Sequence, residues 1–174
     1  MPRALRFKFF DTASDLATQS SGSLETLRVT EGPFPWASLE TYQGALPPDQ
    51  NSAAALFDAS EIDDTGPAPE PYGVLMLVAF NVPPERTEEV EAWYVQEHVP
   101  LLMRAPGWLR ARRYLVKSHL GPLTWTHLAF HELRNLAVLA SEERAFARST
   151  AWRATLSSEP WFESAGRILF EPMP

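Results

Sequence analysis

Residues 93–114, WYVQEHVPLLMRAPGWLRARRY, constrain this chain more than any other stretch. They read as the end of an amphipathic helix, a tight turn at Ala105-Pro106-Gly107 and a following strand. Pro100 disfavours the α conformation at Val99 and removes a backbone donor, so the helix is expected to leave regular geometry there. A single histidine, His98, sits at that point. Imidazole titrates near neutral pH, and a partly buried one beside a cavity can move protons.

The flanking segments complete a unit. Gly73–Asn81 (GVLMLVAFN) is a continuous apolar run, expected as a strand buried on both faces. Val82-Pro83-Pro84 ends it, and Glu85–Met103 forms a helix opened by acids that suit its positive end. Trp108–Lys117 and Pro122–Leu133 are two further strands joined by a short connection at 118–121. Asn135 caps a helix to about Arg148, a looser helical stretch continues through Trp152 and Leu156, and Gly166–Glu171 is the last strand. The order β-α-β-β-α-β is that of a ferredoxin-like unit.

The first half is less regular. Arg3–Phe10 alternates as a strand, residues 11–23 read as a polar loop, and Leu24–Val29 and Trp36–Tyr42 are short strands. Gln50–Ala59 is expected to be helical because of Ala53, Ala54 and Ala55. Residues 60–71 carry three prolines, a glycine and four acids, the composition of a linker. The division is therefore 1–59, a linker at 60–71, and 72–174. An internal repeat supports it. Gly32, Pro33, Trp36 and Leu39 recur at one fixed offset as Gly121, Pro122, Trp125 and Leu128, and Arg3–Phe7 echoes Arg110–Tyr114. On this reading the first half is a partial copy. It keeps the second and third strands and loses the first strand and first helix.

Composition excludes several classes. The chain of 174 residues carries a net charge of −7 and no Lys/Arg cluster beyond Arg110–Arg113, so the footprint of a nucleic-acid binder is missing. It has no cysteine, which removes disulfides, thiolate metal sites and cysteine nucleophiles. No apolar stretch approaches the roughly 20 residues of a membrane span, and the N-terminus has too short an apolar run for a signal peptide. A cytoplasmic protein with no membrane partner is expected. No phosphate loop, dinucleotide fingerprint, nucleophile elbow or zinc-protease motif occurs, so no cofactor and no metal are expected.

The combination Val82-Pro83-Pro84, Trp93-Tyr94, Glu97-His98-Val99-Pro100, Pro106-Gly107 and Arg112-Arg113-Tyr114 resembles the EthD-like, dimeric α+β-barrel superfamily over residues 72–174. The resemblance implies two ferredoxin-like sheets facing each other, helices outside and a small apolar cavity between the sheets. Relatives of that superfamily include cofactor-free polyketide cyclases, muconolactone-type isomerases and quinone-forming monooxygenases.

Strand periodicity assigns candidate faces. Trp108, Arg110, Arg112 and Tyr114 share one face of the second strand, with Ala111 and Arg113 toward the helices. Trp125, His127, Ala129 and His131 share one face of the third, with Leu128 and Phe130 toward the helices. A one-residue slip inverts such assignments. His98 is the first candidate for proton transfer; Tyr94, four residues earlier, shares its helix face. The helix end is expected to favour the protonated ring. Tyr94 or Tyr114 would polarise an oxygen, and Arg112 would steady an enolate or phenolate. Trp93, Trp108, Trp125, His127 and His131 would line the substrate. A structural role stands beside each: His98 as a helix cap, Arg112 as a surface strand residue, the tryptophans as core. His127 and His131 lie about 13 Å apart on an extended strand, too far to share an ion.

Three functional readings remain. The first is a cofactor-independent enzyme cyclising, isomerising or dehydrating an apolar oxygenated substrate such as a polyketide, terpenoid or aromatic lactone. The second is a cofactor-free monooxygenase of a phenol or anthrone. The third is a non-catalytic binding protein with a degenerate barrel. A ferredoxin-like sheet leaves one apolar face that another sheet must cover, so a homodimer is expected.

Overall fold

The computed structural model describes residues 3–13, 23–49 and 53–174. Most of the polar segment at 11–23 and the first residues of the expected 50–59 helix lie outside them. Eight strands run through the described residues: β1 (Arg3–Phe10), β2 (Ser23–Glu31), β3 (Trp36–Gln43), β4 (Ala55–Asp64), β5 (Val74–Phe80), β6 (Trp108–Leu120), β7 (His127–Leu133) and β8 (Gly166–Pro172). All pair antiparallel, in the closed order β1-β3-β2-β8-β5-β7-β6-β4.

That order contains the same sheet twice. The C-terminal half reads β8-β5-β7-β6 and the N-terminal half β4-β1-β3-β2, each in the ferredoxin order fourth, first, third, second. The first half therefore keeps all four strands; the expectation that it lost the first is corrected. β3 and β7 are equivalent, as the Gly-Pro-Trp-Leu repeat indicates. β1 corresponds to β5, not to β6 as the Arg3–Phe7 echo implied. The two seams, β2 with β8 and β4 with β6, close the barrel within one chain. The N-terminal sheet thus covers the face for which a second chain was expected.

β4 replaces the helix expected at 50–59 and extends through residue 64. Alanine's helix preference is worth only tenths of a kcal/mol per residue over most others. Against it stands a ladder on both sides, to β1 and to β6. The alternation fits: Ala55, Phe57 and Ala59 are buried in the barrel, while Asp58 and Ser60 lie outward.

The barrel interior is filled. Phe7 packs edge-on against Phe9 (4.7 Å between ring centroids), Phe130 (5.2 Å) and Phe170 (6.0 Å), and Trp125 stacks on Phe57 at 5.3 Å. Leu5, Leu39, Leu75, Leu77 and Leu128 complete the layer. Eight strands enclose just enough room for such side chains, and each buried Leu or Phe contributes roughly 1.5–3 kcal/mol. The apolar cavity expected between the sheets is occupied by this core.

Among the described residues the α-helices lie on the outer face of the C-terminal sheet. They are α1 (Thr87–Trp93), α2 (Val99–Leu102), α3 (Glu142–Ala147), α4 (Ala151–Ser157) and α5 (Pro160–Glu163). Asn135 accepts a hydrogen bond from the Ala137 N–H, the expected cap, but it opens a 3-10 turn (Leu136–Ala140) before α3. β5 is consequently buried on both faces, as its unbroken apolar run requires. The N-terminal sheet has no described helix over it, and its outer face carries Arg6 paired with Asp58 and Lys8 paired with Glu40, with Ser38 beside them. No described helix is long and apolar enough to cross a membrane.

Two face assignments change. In β7, Leu128 and Phe130 point into the barrel and Ala129 packs under the helices, the reverse of expectation. His131 goes with the helix side, against Trp108. In β6, Arg112 and Tyr114 lie on the barrel side as expected, but a bulge between Trp108 and Arg110 turns Trp108 toward the helices.

Candidate functional site

Between the helices and the outer face of the C-terminal sheet is a cavity of about 260 Å³. Met76, Val78 and Phe80 of β5 form its floor. Trp93, Tyr94 and His98 come from the first helical segment, Trp108 and His131 from β6 and β7, and Phe162 from α5. Arg144, Arg148, Arg153 and Arg167 complete the lining.

The helix places three of these groups together by leaving α geometry at Tyr94–His98, which form a π turn. The Val99 N–H reaches back five residues to the Tyr94 carbonyl. Val99 itself stays helical (φ −64°, ψ −46°), and helix resumes through Leu102 despite Pro100. The expected departure from regular geometry is present, but the chain widens rather than stops. At about 100° per residue, Trp93 and His98 would point about 140° apart on an α-helix. The wider turn stacks their rings, 4.2 Å between centroids and 21° between planes. Tyr94 meets His98 edge-on at 5.6 Å. Single π turns of this kind recur at functional sites.

Both cavity imidazoles are neutral at physiological pH. Burial pushes His98 down to about 3; Arg153, Arg148 and Arg144 act the same way, and the Ala147 backbone opposes them. The protonated ring expected from a helix end is therefore not the resting form. Its Nδ1 is shielded and has no hydrogen-bond partner. His131 is fully buried and is pushed down to about 3 by burial first, then by His98 and nearby arginines. Trp108 Nε1–H donates to His131 Nδ1 at 3.2 Å. Because indole only donates, the His131 proton sits on Nε2. Burial drives the Tyr94 hydroxyl well above the ordinary phenol range, and the Arg113 guanidinium lies 4.5 Å from its ring centroid.

The remaining candidates lie elsewhere. Tyr114 is inside the barrel, on the opposite side of the sheet from His98. Its hydroxyl is buried without a partner and burial pushes it up to about 12. Arg112 is buried rather than at the surface. It pairs with Glu132 at 2.9 Å and Glu25 at 3.3 Å beside a polar cleft of about 780 Å³ at one barrel end, which Arg3, Arg110, Tyr42 and Tyr114 also line. Trp125 belongs to the core, where Gly166 leaves room for it: a Cβ on Gly166 would lie 2.4 Å from the indole. His127 contacts Thr126 at 2.8 Å and lies 3.6 Å from Glu91, outside the cavity. Among the described residues no group of three or more His, Asp or Glu could hold a metal ion.

Sequence reasoning thus brings together His98, Tyr94, Trp93, Trp108 and His131. It misses the four arginines. Their signal was faint: Arg144 and Arg148 are four apart on one helical stretch, and Arg153 and Arg167 reach the cavity only through the fold.

No protein-family profile matches the chain, and no curated protein matches its sequence. Solved structures do match it in fold. One described as a major regulator of staphylococcal pathogenesis superposes with TM-score 0.68 at 10% identity, covering 98% of this chain and 99% of its own. A ferredoxin-fold protein related to antibiotic biosynthesis monooxygenases, from Listeria monocytogenes, gives 0.66 at 9%, covering 100% and 96%. An anthrone oxidase-like protein gives 0.63 at 10%, covering 99% and 91%. The shared architecture is the ferredoxin-like α+β barrel.

Proposed function

We propose that the chain is a small-molecule enzyme whose helix-side cavity starts its reaction by taking a proton from an aromatic, oxygenated substrate. The observation that carries this reading is His98: a neutral imidazole stacked on Trp93, lining an aromatic cavity, with an unpartnered Nδ1. An orphaned buried nitrogen calls for an explanation, and a ligand proton supplies one. His98 accepts a proton from a phenolic or enolic substrate as the anion forms beside Arg144, Arg148 and Arg153, offsetting the positive charge that otherwise opposes protonation of the ring, and the aromatic walls limit access of water. Tyr94, held as a phenol, donates to a substrate oxygen.

The anion has two fates. Reaction with O2 at a ring CH2 gives a carbonyl and one water, so that an anthrone and O2 yield a quinone with atoms balanced. The names of the fold neighbours favour this monooxygenase form. Without O2, the same anion cyclises or isomerises; the EthD-like motif around Glu97-His98-Val99-Pro100 is compatible with either. The test is turnover of a panel of phenols, anthrones and polyketide-like enols, in air and under argon. We expect His98→Ala to lower kcat by about a hundredfold or more, in line with a lost general base, while keeping substrate binding within a few-fold. Undiminished turnover in His98→Ala removes His98 from the mechanism. Undiminished turnover under argon selects the oxygen-free form.

A further inference from the structure

From the guanidinium cluster around the cavity we infer that its ligand is an organic acid: a small aromatic molecule with one carboxylate directed at Arg144, Arg148, Arg153 and Arg167. The inference rests on the reading of this cavity as the substrate site and adds the class of molecule it takes.

Charge is unbalanced around this cavity. The chain carries a net charge of −7, and most of its arginines lie within ion-pair distance of a carboxylate. Among the described residues, only Arg104 and the four arginines of this cavity do not. Arg104 is exposed at the end of a helix, where solvent serves it. Arg148 and Arg167 are exposed as well, but together with the half-buried Arg144 and Arg153 they line one cavity. Burial and mutual repulsion with Arg148, Arg167 and Arg153 bring Arg144 down to about 10, and burial and Arg148 lower Arg153. Like charges gathered without a counter-charge cost stability, and a cleft lined by one sign of charge concentrates the opposite ion.

Two of the guanidinium groups, those of Arg144 and Arg153, are also held in place. Arg144 donates to the Leu139 carbonyl at 2.6 Å, Arg153 donates to the Arg148 carbonyl at 3.2 Å, and Arg153 lies 5.3 Å over the Phe162 ring. Each of these two still has N–H groups with no partner among the described residues, and a planar guanidinium fork matches a carboxylate. The other walls have no such preference: Met76, Val78, Phe80 and Trp93 present apolar and aromatic surface. Free phosphate would use the arginines and waste the floor. A neutral arene would use the floor and leave the arginines unbalanced. An arenecarboxylate uses both.

Isothermal titration of the whole protein tests this with 1-hydroxy-2-naphthoate, its methyl ester, 1-naphthol and inorganic phosphate. We expect the acid to bind about tenfold to a hundredfold tighter than the ester, the range for charge-assisted hydrogen bonds, and the preference to shrink as salt rises. It should fall to within about twofold in Arg144→Gln/Arg153→Gln and survive in Arg104→Gln and in the charge-keeping Arg144→Lys/Arg153→Lys. Equal affinity for acid and ester in the wild type overturns the inference. So does a preference that persists in the double glutamine variant, or phosphate binding as tight as the acid. The two proposals fail separately. Acid preference with no turnover leaves the anion site and removes the enzyme; His98-dependent turnover of neutral substrates with no acid preference does the reverse.

Discussion

His98 and His131 are neutral because they are buried, and that neutrality has a cost. In the unfolded chain an imidazole takes up its proton near pH 6.5. In the folded chain His98 and His131 hold off until about 3 and His127 until about 4. Between those values the unfolded state binds more protons, so stability is full above about pH 6.5 and drains as pH falls toward 3. His131→Gln removes one titrating group while keeping an acceptor for the Trp108 indole. Chemical denaturation at pH 8 and pH 4.5 should show the variant gaining about 3 kcal/mol on the wild type at the acid pH relative to the alkaline one. An identical offset at both pH values would mean that His131 does not carry this linkage. Residue by residue, the sequence pointed to His98 through Pro100 and to Tyr94 through spacing. It could not give the ring's protonation, which depends on how deeply the finished helix layer covers it.

At the scale of elements, strands were legible where alternation or an apolar run was strong, as in β1, β3 and β5. Orientation was not, because one extra residue between Trp108 and Arg110 inverts a face without altering composition. The β4 segment was obscured by its alanines, since propensity is local and the ladders to β1 and β6 are not. The start of β8 carries a contact of a similar kind. Gly166 lies under the Trp125 indole, and a Cβ there would approach ring atoms at 2.4 and 2.8 Å. Gly166→Ala should destabilise the protein by about 1–3 kcal/mol through overpacking. Trp125→Phe trims the ring, so the double variant should lose less than the two single losses combined, with a coupling of about 1 kcal/mol by thermal or urea unfolding. Strict additivity would show that the indole does not press on this position.

For the whole molecule, the repeat matters more than either half. Each sheet has one face that only the other covers: Leu75, Leu77, Tyr114, Phe130 and Phe170 from one side meet Leu5, Phe7, Phe9, Leu39 and Phe57 from the other. The first half contributes all four strands of its sheet, and its two edge strands, β2 and β4, pair with β8 and β6. The homodimer expected from the sequence rested on an uncovered face, and closure within the chain supplies the cover. A fragment of residues 72–174 restores the original problem: it keeps both helical segments and the lined cavity but exposes the barrel side of its sheet, an apolar surface well beyond what soluble monomers tolerate. It also frees the edges of β6 and β8 to pair with another copy. Light scattering on the two species at equal micromolar concentration should give a mass near 19.5 kDa for the whole chain and a dimer or larger aggregate for the fragment. A folded, monomeric fragment would mean that the C-terminal sheet does not need its partner, and that the first half serves something other than closure.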